Sequence, residues 1–296
     1  ANMEGDNKIK ILGTGLTGLV GSRITELLKD RYEFENISLE NGVNITNKDQ
    51  VEKKIIDSPA RVILHLAAKT DVDGCEKDKL LGKNGDAWRI NVEGTKNIVE
   101  GAKKSGKNII YISTDFVFDG TKEFYNENDE PNPINWYGAT KYEGEKVVKD
   151  SGIPYLICRL AFPYRANFEK KKDFVRGILA RLKNGEKIAM VTDEIITPTF
   201  IDDIAYALDV LIKNDAGGTY HLVGSSSHTP FEIAHLIAKI FGLDESLISS
   251  TTKETYFANR APRPFSLVLK NDKLKKLGIK MSTFEEGLKK AKSQLL

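Results

Sequence analysis

This sequence predicts an α/β chain with a doubly wound parallel sheet and a smaller C-terminal α/β lobe. Three observations carry that prediction. Five short apolar stretches (KIKIL, FENISLE, ARVILHL, NIIYIS and IPYLICRL) alternate with helical stretches up to about residue 160. Short connections join them, the pattern of parallel strands linked by crossover helices. The first strand also runs straight into a glycine-rich turn, GTGLTGLVG, and from there into a helix.

Composition narrows the partners before any motif is read. At 296 residues the chain has room for one large domain, or for a core domain with a smaller lobe. Its 44 basic and 42 acidic residues leave a net charge of +2 and are scattered, so no nucleic-acid or anionic-membrane partner is expected. No apolar run approaches the ~20 residues that span a bilayer. No apolar signal-peptide segment opens the chain, which predicts a cytoplasmic protein. Ala1 and Asn2 precede Met3 and are left out of the fold reading. Cys75 and Cys158 lack metal-type spacing, and Cys158 sits inside the apolar YLICRL, so both are expected as buried free thiols. None of the 4 histidines pairs at ligand spacing with another His or Cys, and no catalytic metal is expected.

Lys8–Leu12 reads as the first strand, and the helix after the turn runs to about Lys29. Gly15-x-x-Gly18-x-x-Gly21 lets backbone approach a pyrophosphate, and the helix N-terminus offers free N–H groups to it. The later glycine permits close helix–sheet packing. Strand before and helix after favour this over a merely flexible turn. Gly15, Leu16, Thr17, Gly18, Leu19 and Val20 are therefore candidates to hold a dinucleotide. FENISLE ends at Glu40, where an acid at the end of a second strand can accept the adenosine ribose hydroxyls; a solvated loop acid is the competing reading. In GVNITNKDQVEKKI, Thr46 can cap the helix that starts from Asn47. The third strand lies in ARVILHL. Beyond it, the small Ala67 and Ala68 would let a cofactor lie against the backbone or, alternatively, serve helix–sheet packing.

Gly82–Asp86 is expected as a loop, followed by a long helix from Asp86 to Lys104. Its interior Asn91 is disfavoured by propensity, which points to a functional reason. NIIYIS, the fourth strand, delivers Ser113 and Thr114 at its end. A Pro- and Asn-rich loop, Glu123–Asn135, leads to NWYGATK, and the fifth strand ends near Arg159. After Ala161 come a charged loop (RANFEKKKD), a helix (DFVRGILARLKNG), then a short strand, a turn and a helix in KIAMVTDEIITPTFIDDIAYALDVLI. Asp202 and Asp203 read as helix N-terminal acids. A further strand precedes Thr229–Pro230, a good cap and first-turn pair. Residues 1–160 are thus read as the dinucleotide-binding domain, joined by a strand and helix from about 187–215. Residues 161–296 are mainly an interleaved substrate lobe.

The chemistry concentrates between Ser113 and Lys141. Tyr137 and Lys141 stand one helical turn apart on one face. A free phenol titrates near 10 and is a poor acid at neutrality. A neighbouring ammonium favours the phenolate and draws that value down. With the Thr114 hydroxyl, the three groups can exchange a proton with a carbonyl oxygen. Taken alone, Tyr-x-x-x-Lys is equally a packed Tyr beside a solvated Lys. The strand end before it and the Gly-rich turn at the start of the chain favour catalysis.

The wording STDFVFDG…NPINWYGATKYEGE resembles the extended short-chain dehydrogenase/reductases, and within them the dTDP-4-dehydrorhamnose reductase branch, over nearly the whole chain. That resemblance implies a dinucleotide-binding (Rossmann) fold and an NAD(P)(H) cofactor. It also implies reduction of a nucleotide-activated 4-keto-deoxy sugar, as in rhamnose biosynthesis. Tyr137 would protonate the forming alkoxide, Lys141 would hold the nicotinamide ribose, and Thr114 would polarise the carbonyl. Asn44 and Ile45 would lie by the adenine, Asn91 would kink its helix and order a relay water, and Ser113 and Ala161 would border the cofactor. Lys69 and Thr70 would face the nicotinamide ribose or the substrate, and Val72 the substrate. Arg263 would lie by the nucleotide diphosphate, a surface Arg in a Pro-rich turn being the alternative. Phe116 and Phe162 stand where the family usually has sugar-associated Tyr and Trp. Glu40 would repel a 2′-phosphate, and no Arg or Lys follows within four residues, so the sequence leans toward NAD(H).

Two other readings stay open. One is a neighbouring nucleotide-sugar enzyme, an epimerase or a 4,6-dehydratase, although dehydratases resemble this chain with an acid where Phe116 stands. The other is a non-catalytic dinucleotide-binding regulatory subunit similar to the methionine adenosyltransferase beta subunit, against which the intact Thr114–Tyr137–Lys141 set weighs. Oligomeric state is left open, a homodimer being one option.

Overall fold

The computed structural model describes residues 7–295. Its first half alternates β1 (Ile9–Thr14), α1 (Leu19–Leu28), β2 (Tyr32–Ile37), α2 (Lys48–Asp57), β3 (Val62–His65) and α3 (Val72–Asp78). A long helix follows as α4 (Asp86–Trp88), a π-turn (Arg89–Glu93) and α5 (Gly94–Ser105), then β4 (Asn108–Thr114), α6 (Trp136–Lys149) and β5 (Tyr155–Leu160). Beyond these lie β6 (Pro163–Tyr164), α7 (Phe174–Lys183), β7 (Ile188–Val191), β8 (Thr199–Phe200), α8 (Ile201–Lys213) and β9 (Gly218–His221). The chain closes with α9 (Pro230–Phe241), β10 (Ile248–Thr251), α10 (Lys253–Tyr256), α11 (Asp272–Lys275) and α12 (Phe284–Gln294). No helix among the described residues is long and apolar enough to cross a membrane.

Six strands form one parallel sheet in the order β2-β1-β3-β4-β5-β9. The order in which successive strands are added reverses between β1 and β3, the switch point at whose carboxyl edge such sheets bind ligands. Neighbouring β1 residues point to opposite faces: Ile11 packs with Ile24, Leu28, Leu208 and Leu211, whereas Leu12 packs with Val51, Ile55, Val99 and Ala102. Burial of strands on both faces explains their near-continuous apolar runs. The lobe has its own core, centred on Ile178, Leu179, Met190, Ile233, Ile237, Phe284 and Leu288.

Several boundaries differ from the sequence reading. β2 begins and ends earlier than FENISLE, and Leu39–Asn41 forms a single 3-10 turn capped by Ser38. Asn47, not Thr46, caps α2, accepting from the Gln50 N–H at 3.1 Å. Thr46 bonds instead to Asn44 Oδ1, at 2.7 Å from its hydroxyl. The strand expected near residue 187, β7, pairs with β10 outside the main sheet, whose sixth strand is β9. Asp202 does more than face a helix dipole, since Arg23 of α1 grips it with Nε at 2.8 Å and Nη2 at 3.0 Å. Together with the Ile24–Leu208 packing, this forked pair fixes α8 against the glycine-turn helix.

Candidate active site

The glycine turn shows why its residues are small. Gly15 has φ +67°, and a Cβ there would lie 2.8 Å from the Ala67 nitrogen, so the β1 and β3 ends meet backbone to backbone. A hydrogen-bonded chain fixes this junction. The Thr14 hydroxyl accepts from the Leu66 and Ala67 N–H groups at 3.1 and 2.9 Å, which directs its own proton to His65 Nδ1 at 2.6 Å. His65 Nε2 then faces the Thr95 hydroxyl at 2.9 Å, and Thr95 donates to the Asn91 carbonyl at 2.8 Å. Burial lowers His65 to about 3, so the ring is neutral and its tautomer is set by these partners.

Gly18 is the N-cap of α1 and brings no side chain to that end, so the first N–H groups of the helix stay available. This cradle fits the pyrophosphate of a dinucleotide. Arg165 anchors the same helix from the lobe, donating to the Leu19 carbonyl at 3.1 Å and the Ser22 hydroxyl at 2.7 Å.

Above the switch point lies a cleft of about 680 Å³. Of the residues marked by the sequence, Gly15, Thr17, Gly18, Leu19, Val20, Ala67, Ala68, Thr70 and Val72 line it. Ser113, Thr114, Phe116, Tyr137, Lys141 and Phe162 line it too. Thr114 comes from the end of β4, while Tyr137 and Lys141 come from the first two turns of α6. Asn135 caps that helix, accepting from the Gly138 N–H at 2.8 Å, and the Glu76 carboxylate takes the Trp136 N–H at 2.7 Å. Gly138 lets the helix press on the Phe116 backbone, since a Cβ there would come within 2.2 Å of the Phe116 carbonyl oxygen.

Electrostatics at the triad differ from the expectation of an ammonium beside the phenol. Burial raises the Tyr137 phenol above its ordinary value, and the Thr114 hydroxyl beside it pulls the other way. Lys141 Nζ donates to the Ile112 carbonyl at 2.8 Å and lies 4.5 Å from the centre of the Tyr111 ring. Burial lowers Lys141 to about 8, opposed by Glu145 and Cys75. Cys75 packs with Ala87 and Tyr137 in one small cluster, and burial raises its thiol to about 12, so it is inert there. Cys158 is likewise buried and free.

Other marked residues lie elsewhere. The Leu16 side chain folds into the core beside Gly13. Ala161 is buried in the cluster of Val117, Phe118 and Val223. Lys69 turns away from the cleft and pairs with Asp78 at 2.6 Å; because Asp78 also accepts the Ala87 N–H at 3.1 Å, this pair ties together the two ends of the stretch from 78 to 87. That segment is mostly a 3-10 turn, Lys79–Asn84, broken at Gly82. Glu40 and Asn44 are exposed, and Ile45 packs on Gly94. Asn91 sits in the π-turn, so the helix does change pitch there, but its amide is spent on Lys69 and Thr140. Arg263 lines a separate cavity of about 490 Å³ with Lys253 and Arg260, and is ion-paired to Asp73.

Sequence reasoning passed over several contributors to the cleft. Asp115 and the rim residues Lys170, Lys171 and Lys172 line it, although the lysines read only as a charged loop. Phe116, Phe162 and Phe174 form an aromatic row, with ring centres 6.1 and 5.9 Å apart. Phe162 holds φ +41°, a left-handed backbone that a bulky residue rarely adopts outside functional sites.

Comparison with known proteins agrees with this geometry. Residues 9–296 match the family described as RmlD substrate binding domain. A probable low-salt glycan biosynthesis reductase of Haloferax volcanii is 30% identical, covering 80% of this chain and 82% of its own. The methionine adenosyltransferase 2 subunit beta of Bos taurus is also 30% identical, covering 95% and 86%. A crystal structure of dTDP-4-dehydrorhamnose reductase from Bacillus anthracis in complex with NADP superposes with a TM-score of 0.88 at 31% identity, covering 97% of this chain and 99% of that one. A relative that holds NADP gives no support to the NAD(H) preference.

Proposed function

The chain belongs to the RmlD substrate binding domain family, and we propose that this member reduces the keto group of a nucleotide-activated 4-keto-deoxy sugar with NAD(P)H. The observation that carries the reading is the meeting of Thr114, Tyr137 and Lys141 with the glycine cradle in one cleft. When bound, the dinucleotide supplies the hydride. The chain's own residues do the rest. Gly15 and the uncapped end of α1 receive the pyrophosphate. Tyr137 delivers a proton to the carbonyl oxygen as charge develops on it, and Thr114 steadies that oxygen with a hydrogen bond. Lys141, which burial lowers to about 8, is suited to hold a ribose hydroxyl. Lys170–Lys172 at the rim match the charge of a nucleoside diphosphate.

A second reading, a dinucleotide-binding subunit that serves a partner enzyme, is favoured by the likeness to methionine adenosyltransferase 2 subunit beta. One assay separates the two: NADH or NADPH oxidation with a panel of nucleotide 4-keto sugars. Turnover supports the reductase. Tight cofactor binding with no turnover on any member of the panel supports the subunit.

A further inference from the structure

The Thr114 hydroxyl carries a conflict that the proposed chemistry must resolve. A threonine hydroxyl has one proton and two acceptor sites. Thr114 Oγ1 accepts from the Phe116 N–H at 3.2 Å, and it donates its proton to Asp115 Oδ1 at 3.1 Å. Drawn this way, Thr114 has nothing left to donate to a substrate oxygen. Asp115 itself is 1% exposed, lines the same cleft, and leaves its second oxygen, Oδ2, buried without a partner. Such an oxygen is costly on a carboxylate and ordinary on a neutral acid.

We propose that Asp115 is a positioning residue that works as the neutral acid: donating its own proton to Thr114 Oγ1, it reverses that hydrogen bond and frees the Thr114 proton for the substrate carbonyl oxygen. Thr114 then accepts from Phe116 N–H and from Asp115 and donates to the substrate, so every site on the hydroxyl is used. The groups around Asp115 pull both ways: burial and the nearby acids favour this state, while the Thr114 hydroxyl, the Phe116 N–H and the cations of the cleft favour the carboxylate, and burial is the largest influence. Tyr137 faces it from α6, and Glu194 faces it from the loop before β8, a second buried acid with an unpartnered oxygen. Lys253, Arg263 and Asp193 act on Glu194, while Lys141 and Lys170–Lys172 line the same cleft. Burial raises Asp115 to about 7, with Glu194 adding to the effect.

The inference rests on the reductase reading, and its test keeps the two apart. The pH dependence of kcat/KM should fall through the Asp115 ionisation toward the activity of Thr114→Val, a loss of ~10²–10³-fold, the scale of one oxyanion donor. Asp115→Asn, whose amide can donate to Thr114 at every pH, should keep activity and lose that limb. In a Thr114→Val background, Asp115→Asn should leave the profile unchanged. A limb that persists in Asp115→Asn overturns the inference and leaves the reductase reading standing. Absence of turnover in the unmodified protein overturns the reading instead. The protonated-carboxyl stretch of the unmodified protein minus Asp115→Asn then decides the inference: the band should be present at pH 6, and its absence there overturns it.

Discussion

The Asn91 side chain grips the backbone of Lys69 at both ends, Oδ1 accepting its N–H at 2.8 Å and Nδ2 donating to its carbonyl at 3.1 Å. The same amide donates to the Thr140 hydroxyl at 3.0 Å, so one residue of the π-turn joins the β3 end of the cleft to α6. Asn91→Leu leaves the Lys69 groups without this partner, and unsatisfied buried polar groups cost about 1–3 kcal/mol each. Urea denaturation should show a loss of that order, with dinucleotide affinity falling as the Ala67–Thr70 segment loosens. A variant with unchanged stability and affinity would assign Asn91 another role.

Removing the Tyr137 hydroxyl should separate binding from chemistry. Tyr137→Phe is expected to bind dinucleotide as before and to lose ~10²–10⁴-fold in turnover, the range of general acid catalysis. Full activity in that variant would take Tyr137 out of the mechanism.

Glu194 gives the fold a pH dependence whose sign follows from its burial. Its folded value is raised from 4.5 to about 7. Between these values the folded chain holds a proton that the unfolded chain has lost. Stability from this group is therefore complete below about pH 4 and declines as pH rises through 7. Glu194→Gln removes the ionisation, so relative to the unmodified protein it should gain stability at pH 8 compared with pH 5. Parallel denaturation curves at the two pH values measure the difference; no change between them refutes the assignment.

The sheet and much of the site were legible because apolar runs, glycines and Tyr-x-x-x-Lys are local signals. Gly15, Thr114, Tyr137 and Lys141 each sit at a strand end or helix start that its neighbours announce. What stayed hidden depends on partners far along the chain. Lys69 looked directed at the cleft until Asp78 claimed its ammonium. Nothing near Asp115 tells that Glu194, from a distant loop, will be buried beside it. Leu16 is apolar in a glycine turn, and burial in the core settles it elsewhere. The ammonium–phenol pairing expected from their spacing gives way to the Ile112 carbonyl, which only the packing of α6 on β4 brings to Lys141.

Cofactor preference turns on one such boundary. β2 ends at Ile37, and Glu40 lies exposed in the turn beyond, so the neutral Ser38 occupies the strand end where a ribose-binding acid belongs. Without a carboxylate there, NADH and NADPH should both bind, and Glu40→Ala should leave the ratio of their affinities unchanged. Fluorescence titration of both reduced cofactors checks this. A strong NADH preference that disappears in Glu40→Ala would restore the acid to the ribose.

The aromatic row sets the last expectation, which concerns substrate choice. Phe116 packs edge-on against Tyr137 with ring centres 5.9 Å apart, and its para position carries no hydroxyl. Phe162 continues the row without an indole N–H. Tyr and Trp at these places would add two hydrogen-bonding groups beside the sugar, and Trp would add apolar area as well. A pocket built to bond a hydroxyl rejects an analogue that lacks it by a wide margin; an apolar pocket discriminates hydroxyls weakly. This cleft should therefore accept several keto sugars and reduce dTDP-4-dehydrorhamnose less well than another nucleotide-activated keto sugar. Phe116→Tyr and Phe162→Trp, singly and together, should raise kcat/KM for the rhamnose precursor relative to the rest of the panel. Efficient reduction of that precursor by the unmodified protein, with no gain from either change, would show that neighbouring side chains already supply the missing contacts.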